Sequence, residues 1–245
     1  LSISHFLVFS ICLCTIIFLP RLFRNSDQKV IDFFSYLVAF LIFFHQIRVT
    51  FVDIVVNNFR LADALPLHLC DFSALIIASY LITKQRYLFV FAFFWGVTGA
   101  GMSILTPDAE YAFPAYDYLN TMYGHSLILL GVSVALTLHK ERPYLNDIPR
   151  LILYSSILLA AIYGINELLD TNYWYLNDRP HGTNIISLMP DPPIHMLVLY
   201  PVAICFIYFV YLPFYVQDKR QDFHSFSKEV NCCLLYTSPS PRDFT

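Results

Sequence analysis

Seven continuously apolar stretches, at roughly residues 3–19, 31–56, 65–82, 87–105, 122–138, 151–169 and 194–214, leave this chain few folds to choose from. Most approach the ~20 residues that a helix rising ~1.5 Å per residue needs to cross ~30 Å of hydrocarbon. A barrel strand would alternate apolar and polar side chains over about ten residues; these runs do not alternate, so helices are predicted. The expected fold class is all-α, a polytopic membrane helix bundle of about seven transmembrane helices. One domain is expected over residues 1–220, with a tail at 221–245. The composition agrees, since 57% hydrophobic residues, 13% charged residues and a mean hydropathy of +0.57 exceed what a water-soluble domain of this size shows. An integral, multi-pass membrane location follows, with membrane lipids as the first expected partners.

The distribution of basic residues predicts an orientation. Arg21, Arg24, Lys29, Lys84, Arg86, Lys140, Arg142, Arg150, Lys219 and Arg220 fall in alternate loops on one side. The opposite loops carry Arg60 and Arg179 with Asp108, Glu110, Asp117, Asp170, Asp178 and Asp191. By the positive-inside bias the amino terminus is expected outside and the carboxyl terminus in the cytoplasm. The first stretch is expected to be a retained span, because its basic residues follow it and no small-residue cleavage site is evident. Aromatic residues near the predicted ends, such as Tyr111, Phe113, Tyr116, Tyr118, Tyr173, Trp174 and Tyr175, suit a headgroup layer. The string CLLYTSPSPRD near the end resembles translated sequencing-adapter sequence, so residues from about 231 onward are expected to be non-native.

Net charge is −3 and no basic stripe occurs, which sets nucleic acid aside as a partner. The six cysteines, Cys12, Cys14, Cys70, Cys205, Cys232 and Cys233, form neither a CxxC pair nor a secreted-domain framework, so neither a disulfide scaffold nor a zinc module is expected. No metal or other cofactor is expected. HLCD sets its potential ligands on diverging faces, no HxxxH or HExxH pair appears, and His181 and His195 are isolated. GVTGAGMS in the fourth stretch superficially resembles a nucleotide loop but lacks a preceding strand, so close helix packing through small residues is expected.

An ionisable side chain near the middle of a span costs roughly 2.5–3.5 kcal/mol on insertion scales, so each one asks for a partner or a purpose. The second stretch holds His45, Gln46, Arg48 and Asp53. The third opens with LPLHLCD, placing His68, Cys70 and Asp71 in its first turns, with Pro66 suited to the first helical position. The fifth begins YLNTMYGHS, with Asn120, Tyr123, His125 and Ser126 at matching depth, and the sixth ends at Asn166, Glu167 and Asp170. Four helices therefore bring polar residues to one leaflet, and an outward-facing polar cavity is predicted there. The plainer alternative is that His45, Arg48, Asp71 and Glu167 are mutually paired structural residues. Cys70 is the one nucleophile candidate: a thiol near a helix N-terminus with imidazoles at hand has its thiolate stabilised, and the thiolate attacks carbonyl carbon.

LPLHLCDFSALI at 65–76, GHSLILLG at 124–131 and NELLDTNYWYLNDRP at 166–180 together resemble the family of the bacterial membrane protein YwaF and the animal transmembrane protein 164. For the animal branch, that resemblance implies an acyltransferase. A fatty acyl chain would pass from a phospholipid to a lysophospholipid through a cysteine thioester, with the nucleophile at Cys70 and the assisting histidine at His125. The bacterial branch brings no activity with it. Two functions remain open from sequence. In the first, Cys70 attacks a lipid ester, His125 is the general base, Asp71 or His68 orients, and Asn120 or Asn166 stabilises the oxyanion. In the second, a transporter or receptor binds a small polar ligand through His45, Arg48, Asp71 and Glu167 without covalent chemistry.

Overall fold

A computed structural model of the chain describes residues 3–107, 113–178, 190–192 and 194–236. Asp108, Glu110, Tyr111, Arg179 and His181, named above, lie outside the described residues. The regular elements described are all helical: α1 (Ile3–Leu22), α2 (Gln28–Val55), α3 (Leu69–Thr83), α4 (Arg86–Leu105), α5 (Tyr116–Thr137), α6 (Ile148–Leu169) and α7 (Met196–Tyr236). Six of the seven contain a stretch long and apolar enough to cross a bilayer, while α3 has only 15 residues. The all-helical, multi-pass membrane architecture read from the sequence is therefore what the chain adopts.

Two helix starts differ from the hydropathy reading. α5 begins at Tyr116 rather than near residue 122, because Tyr116, Asp117, Asn120 and Thr121 lower the local hydropathy without breaking the helix. α3 begins at Leu69, so Pro66 lies in the preceding turn and not at the first helical position. The reason is local hydrogen bonding. His68 is the capping residue, and its backbone N–H donates to Asp71 Oδ2 at 2.9 Å, tying a donor that a helix cannot satisfy internally.

Helices α2, α3, α4 and α5 enclose the core. Ile42, Ile77, Leu81, Phe89, Phe94, Val134 and Ala135 are all buried there. Gly131 of α5 lets three helices close up: a Cβ built there would lie 2.8 Å from Ile77 Cγ1 and 3.5 Å from both Ile42 and Leu81. In α4, residues Gly96–Ala100 form a π-helical turn. The close packing expected of its glycines occurs at Gly96, whose Cβ would meet Ile128 at 3.1 Å, while Gly99 and Gly101 face open space. α1 leans on α5, where His5 Nδ1 and the Tyr118 hydroxyl are 2.8 Å apart.

Ion pairs gather at one end of the bundle. Arg86 binds both carboxylate oxygens of Asp147 at 3.0 and 2.7 Å, Arg142 pairs with Asp218, and Lys84 lies 3.9 Å from Asp32. This basic end joins the starts of α2, α4 and α6 to the ends of α3 and α5. The first turn of α3, with Cys70, is at the other end.

Candidate functional site

The position of Cys70 is set by the chain that leads into α3. Asp71, three residues after the cap, accepts from the His68 amide with one oxygen and from Gln46 Nε2 of α2, at 2.9 Å, with the other. One carboxylate thus anchors the cap and joins α3 to α2. From the opposite side, the segment after α6 braces the same entry. Trp174 Nε1 donates to the Leu67 carbonyl at 2.8 Å, Tyr173 donates its hydroxyl to the Ala62 carbonyl at 2.5 Å, and the His68 ring meets Tyr173 edge-on with centroids 5.0 Å apart. Trp174 and Tyr175 hold φ values of 60° and 53°, which a bulky side chain adopts at a cost of order 1–3 kcal/mol each. The contacts to Leu67, Ala62 and His68 hold the segment in that shape.

Inside this brace lies a cavity of about 150 Å³ between α2, α3 and α5. Its polar lining comprises His45 and Gln46 from α2, Cys70 and Asp71 from α3, and Asn120, Thr121 and His125 from α5. The apolar lining includes Ile42, Val49, Ala74, Leu127 and Ile128. Cys70, His45 and His125 therefore line one space.

Hydrogen bonds fix how each imidazole presents itself. His125 Nδ1 lies 2.8 Å from the Thr121 carbonyl oxygen, which can only accept, so Nδ1 carries the proton and Nε2 of the neutral ring keeps a lone pair. His45 is the reverse. Its Nδ1 lies 3.2 Å from Arg48 Nη2, which can only donate, so Nε2 carries the proton. Nε2 of His45 sits so close to the α5 backbone at Gly124 that a Cβ there would displace the ring. One wall of the cavity thus offers a base and another an acid, with Cys70 between the helices that carry them.

The residues singled out from sequence fall in four places. His45, Cys70, Asp71, Asn120 and His125 line the cavity together. Arg48 stands behind it: its guanidinium donates to Asn120 Oδ1, to the Tyr116 hydroxyl at 2.5 Å and to His45, and so holds α2 and α5 in register. His68 is the cap of α3 and packs on the Tyr173 and Tyr175 rings. Asn166 and Glu167 are elsewhere. The Asn166 amide is buried, donating to the Tyr173 carbonyl at 2.9 Å and accepting from the Tyr173 amide and the Thr171 hydroxyl. Glu167 is exposed and accepts from Asn177 at 3.1 Å. Among the described residues no group of three or more His, Cys, Asp or Glu side chains is placed to hold a metal ion.

A second, apolar cavity of about 320 Å³ begins one residue away, at Leu69, and runs between the π-helical turn of α4 and helices α6 and α7. Trp95, Gly99, Trp174 and Tyr200 contribute to its walls. The first turn of α3 therefore separates a partly polar space from an apolar one.

A second buried polar cluster lies at the other end of the bundle. His139, just past α5, meets Lys84 Nζ at 2.9 Å, Ser35 Oγ at 3.0 Å and the Tyr80 hydroxyl at 3.1 Å. Ser35 and Tyr80 are fully buried. Burial, and then the neighbouring Lys84 charge, hold the His139 imidazole down to about 4, so it is neutral at pH 7. Burial also lowers the Lys84 ammonium, against the pull of Asp32.

A protein-family model described as the TMEM164 family matches residues 1–211 of the chain. Comparison with functionally curated proteins and with solved structures gives no match.

Proposed function

Starting from the chain's membership of the TMEM164 family, which the match over residues 1–211 establishes, we propose that this multi-pass membrane protein transfers a fatty acyl chain between phospholipid and lysophospholipid through a thioester on Cys70. The observation that carries the reading is that Cys70 and His125 line one cavity, with the free lone pair of His125 on Nε2.

In the first half-reaction His125 Nε2 takes the Cys70 proton and the sulfur attacks the ester carbonyl carbon. The carbon–oxygen bond breaks, the departing lysophospholipid oxygen takes the proton back from His125, and the acyl group stays on sulfur. In the second, the acceptor's hydroxyl gives its proton to Nε2 and attacks the thioester carbon. The carbon–sulfur bond then breaks and the thiolate is reprotonated. Charge that develops on the carbonyl oxygen can be met by the His45 Nε2–H and by the first-turn amides of Leu69 and Cys70, which the helix leaves without internal partners. Asp71 holds the α3 entry in place from both oxygens. The apolar cavity beginning at Leu69 gives the acyl chain somewhere to lie.

The test is chemical. Purified full-length protein in mixed micelles with phospholipid should acquire one acyl mass, mapped to Cys70 and released by hydroxylamine. Cys70→Ala should abolish both adduct and transfer, and His125→Ala should slow them by about 10²–10⁴-fold. Undiminished transfer by a folded Cys70→Ala protein would overturn the reading, and retained binding of a small polar solute in that variant would favour a receptor or transporter.

A further inference from the structure

A crevice of about 650 Å³ opens between α4 and α6 near the basic end of the bundle, well away from Cys70 and sharing no lining residue with its cavity. In its wall Phe91 of α4 meets Trp95 of the same helix and Tyr154 of α6 edge-on, with centroids 5.1 and 6.0 Å apart, and Arg86, Asp147 and Arg150 stand at its mouth. The three charges are not equivalent. Asp147 receives two hydrogen bonds from Arg86 and a third from the Tyr144 amide at 2.8 Å, so its charge and that of Arg86 are matched. Arg150, exposed in the first turn of α6, has no ion-pair partner among the described residues. Arg142 is already taken by Asp218. The mouth therefore carries one unmatched positive charge above walls that are aromatic and aliphatic.

We propose that this crevice is a binding site for an anionic phospholipid, whose headgroup phosphate meets Arg150 while one acyl chain lies along Phe91, Trp95 and Tyr154. Charge complementarity names the occupant. An apolar slot alone would take any lipid tail, but a slot at the membrane boundary topped by an unpaired guanidinium favours a lipid whose headgroup is net negative. Arginine suits the phosphate better than lysine would, because its planar fork offers two parallel donors. The crevice shares no lining residue with the cavity of Cys70 and His125, so its failure would leave the Cys70 chemistry untouched.

Trp95, one of only two tryptophans, lines this crevice and also the apolar cavity beginning at Leu69, so the reporter is the part of its quenching that depends on Arg150, which lines the crevice alone. Full-length protein is reconstituted in phosphatidylcholine vesicles containing increasing mole fractions of either brominated phosphatidylglycerol or brominated phosphatidylcholine. The quenching lost in Trp95→Phe isolates the Trp95 signal. Half-maximal quenching by the brominated phosphatidylglycerol is expected at about one fifth of the mole fraction needed for the zwitterionic lipid, the preference that one added basic side chain gives at a lipid surface. Arg150→Gln should merge the two curves while Arg150→Lys keeps most of the separation. Raising ionic strength on the unmodified protein should narrow the gap as well. Coincident curves in the wild type, a separation that survives Arg150→Gln, or one indifferent to salt would each overturn the proposal.

Discussion

Gly131→Ala adds one methyl group where α2, α3 and α5 are closest. The new Cβ would stand 2.8 Å from Ile77 Cγ1 and 3.5 Å from the tips of Ile42 and Leu81. Ile77 and Leu81 are fully buried and Ile42 is 2% exposed, so none can swing outward into lipid. Forcing a methylene into a packed core costs about 1–3 kcal/mol. Alanine recovers about 0.5–1 kcal/mol over glycine inside a helix, leaving a net loss of about 0–2.5 kcal/mol. For a chain of this size each kcal/mol moves the unfolding midpoint by about 2–4 °C, so Gly131→Ala should melt up to about 10 °C lower. Gly164→Ala in α6, where an added Cβ meets nothing within 4 Å, has only the helix gain and should melt up to about 4 °C higher. Thermal unfolding in one detergent, followed by helical circular dichroism, reads both. A Gly131→Ala protein as stable as Gly164→Ala would refute the close approach on which the three-helix packing rests.

Three other perturbations follow from the same contacts. Gly124→Ala places its methyl on His45 Nε2, the free end of a ring that can rotate away, so the melting temperature should hold within a few degrees while acyl transfer falls at least tenfold; equal activity would remove His45 from the chemistry. His139 is held down to about 4 from an unfolded value of 6.5, so its contribution is full above pH 6.5 and is lost as pH falls from 6.5 towards 4. After screening at this partly exposed site the loss should be about 1–2 kcal/mol, and a pH–stability profile that His139→Gln leaves unchanged would contradict it. Trp174→Phe leaves the Leu67 carbonyl without its indole donor, at about 1–3 kcal/mol, and should speed maleimide labelling of Cys70 as the α3 entry loosens; unchanged labelling would separate the brace from the thiol.

Hydropathy alone revealed the spans, because in lipid each helix must carry a long apolar run whatever its neighbours do. The gathering of His45, Cys70, Asp71, Asn120 and His125 was legible too, since buried charge and amide groups at matched depth have few other places to go. Asn166 looked the same by that criterion, yet its amide is consumed by the turn at Thr171 and Tyr173, a purely local use that depth cannot distinguish from a site. Trp174 reads as a headgroup anchor, and only its left-handed backbone and its bond to Leu67 reveal the brace. His139 went unseen because it follows a span in LHKERP, where a histidine normally meets water, and tertiary packing on Tyr80 and Ser35 reverses that expectation.

The brevity of α3 has a consequence for where chemistry could occur. Fifteen residues rise only ~22 Å, some 8 Å less than the ~30 Å of hydrocarbon. Lys84 and Arg86 at its far end, with their long stems and charged tips, hold that terminus at the bilayer surface. The shortfall then falls at the near end, where the first turn with its thiol would lie ~8 Å inside the hydrocarbon, beneath the glycerol backbones. Thinning of the leaflet over so short a helix would lower a lipid's ester carbonyl to that height without lifting the lipid out of the membrane.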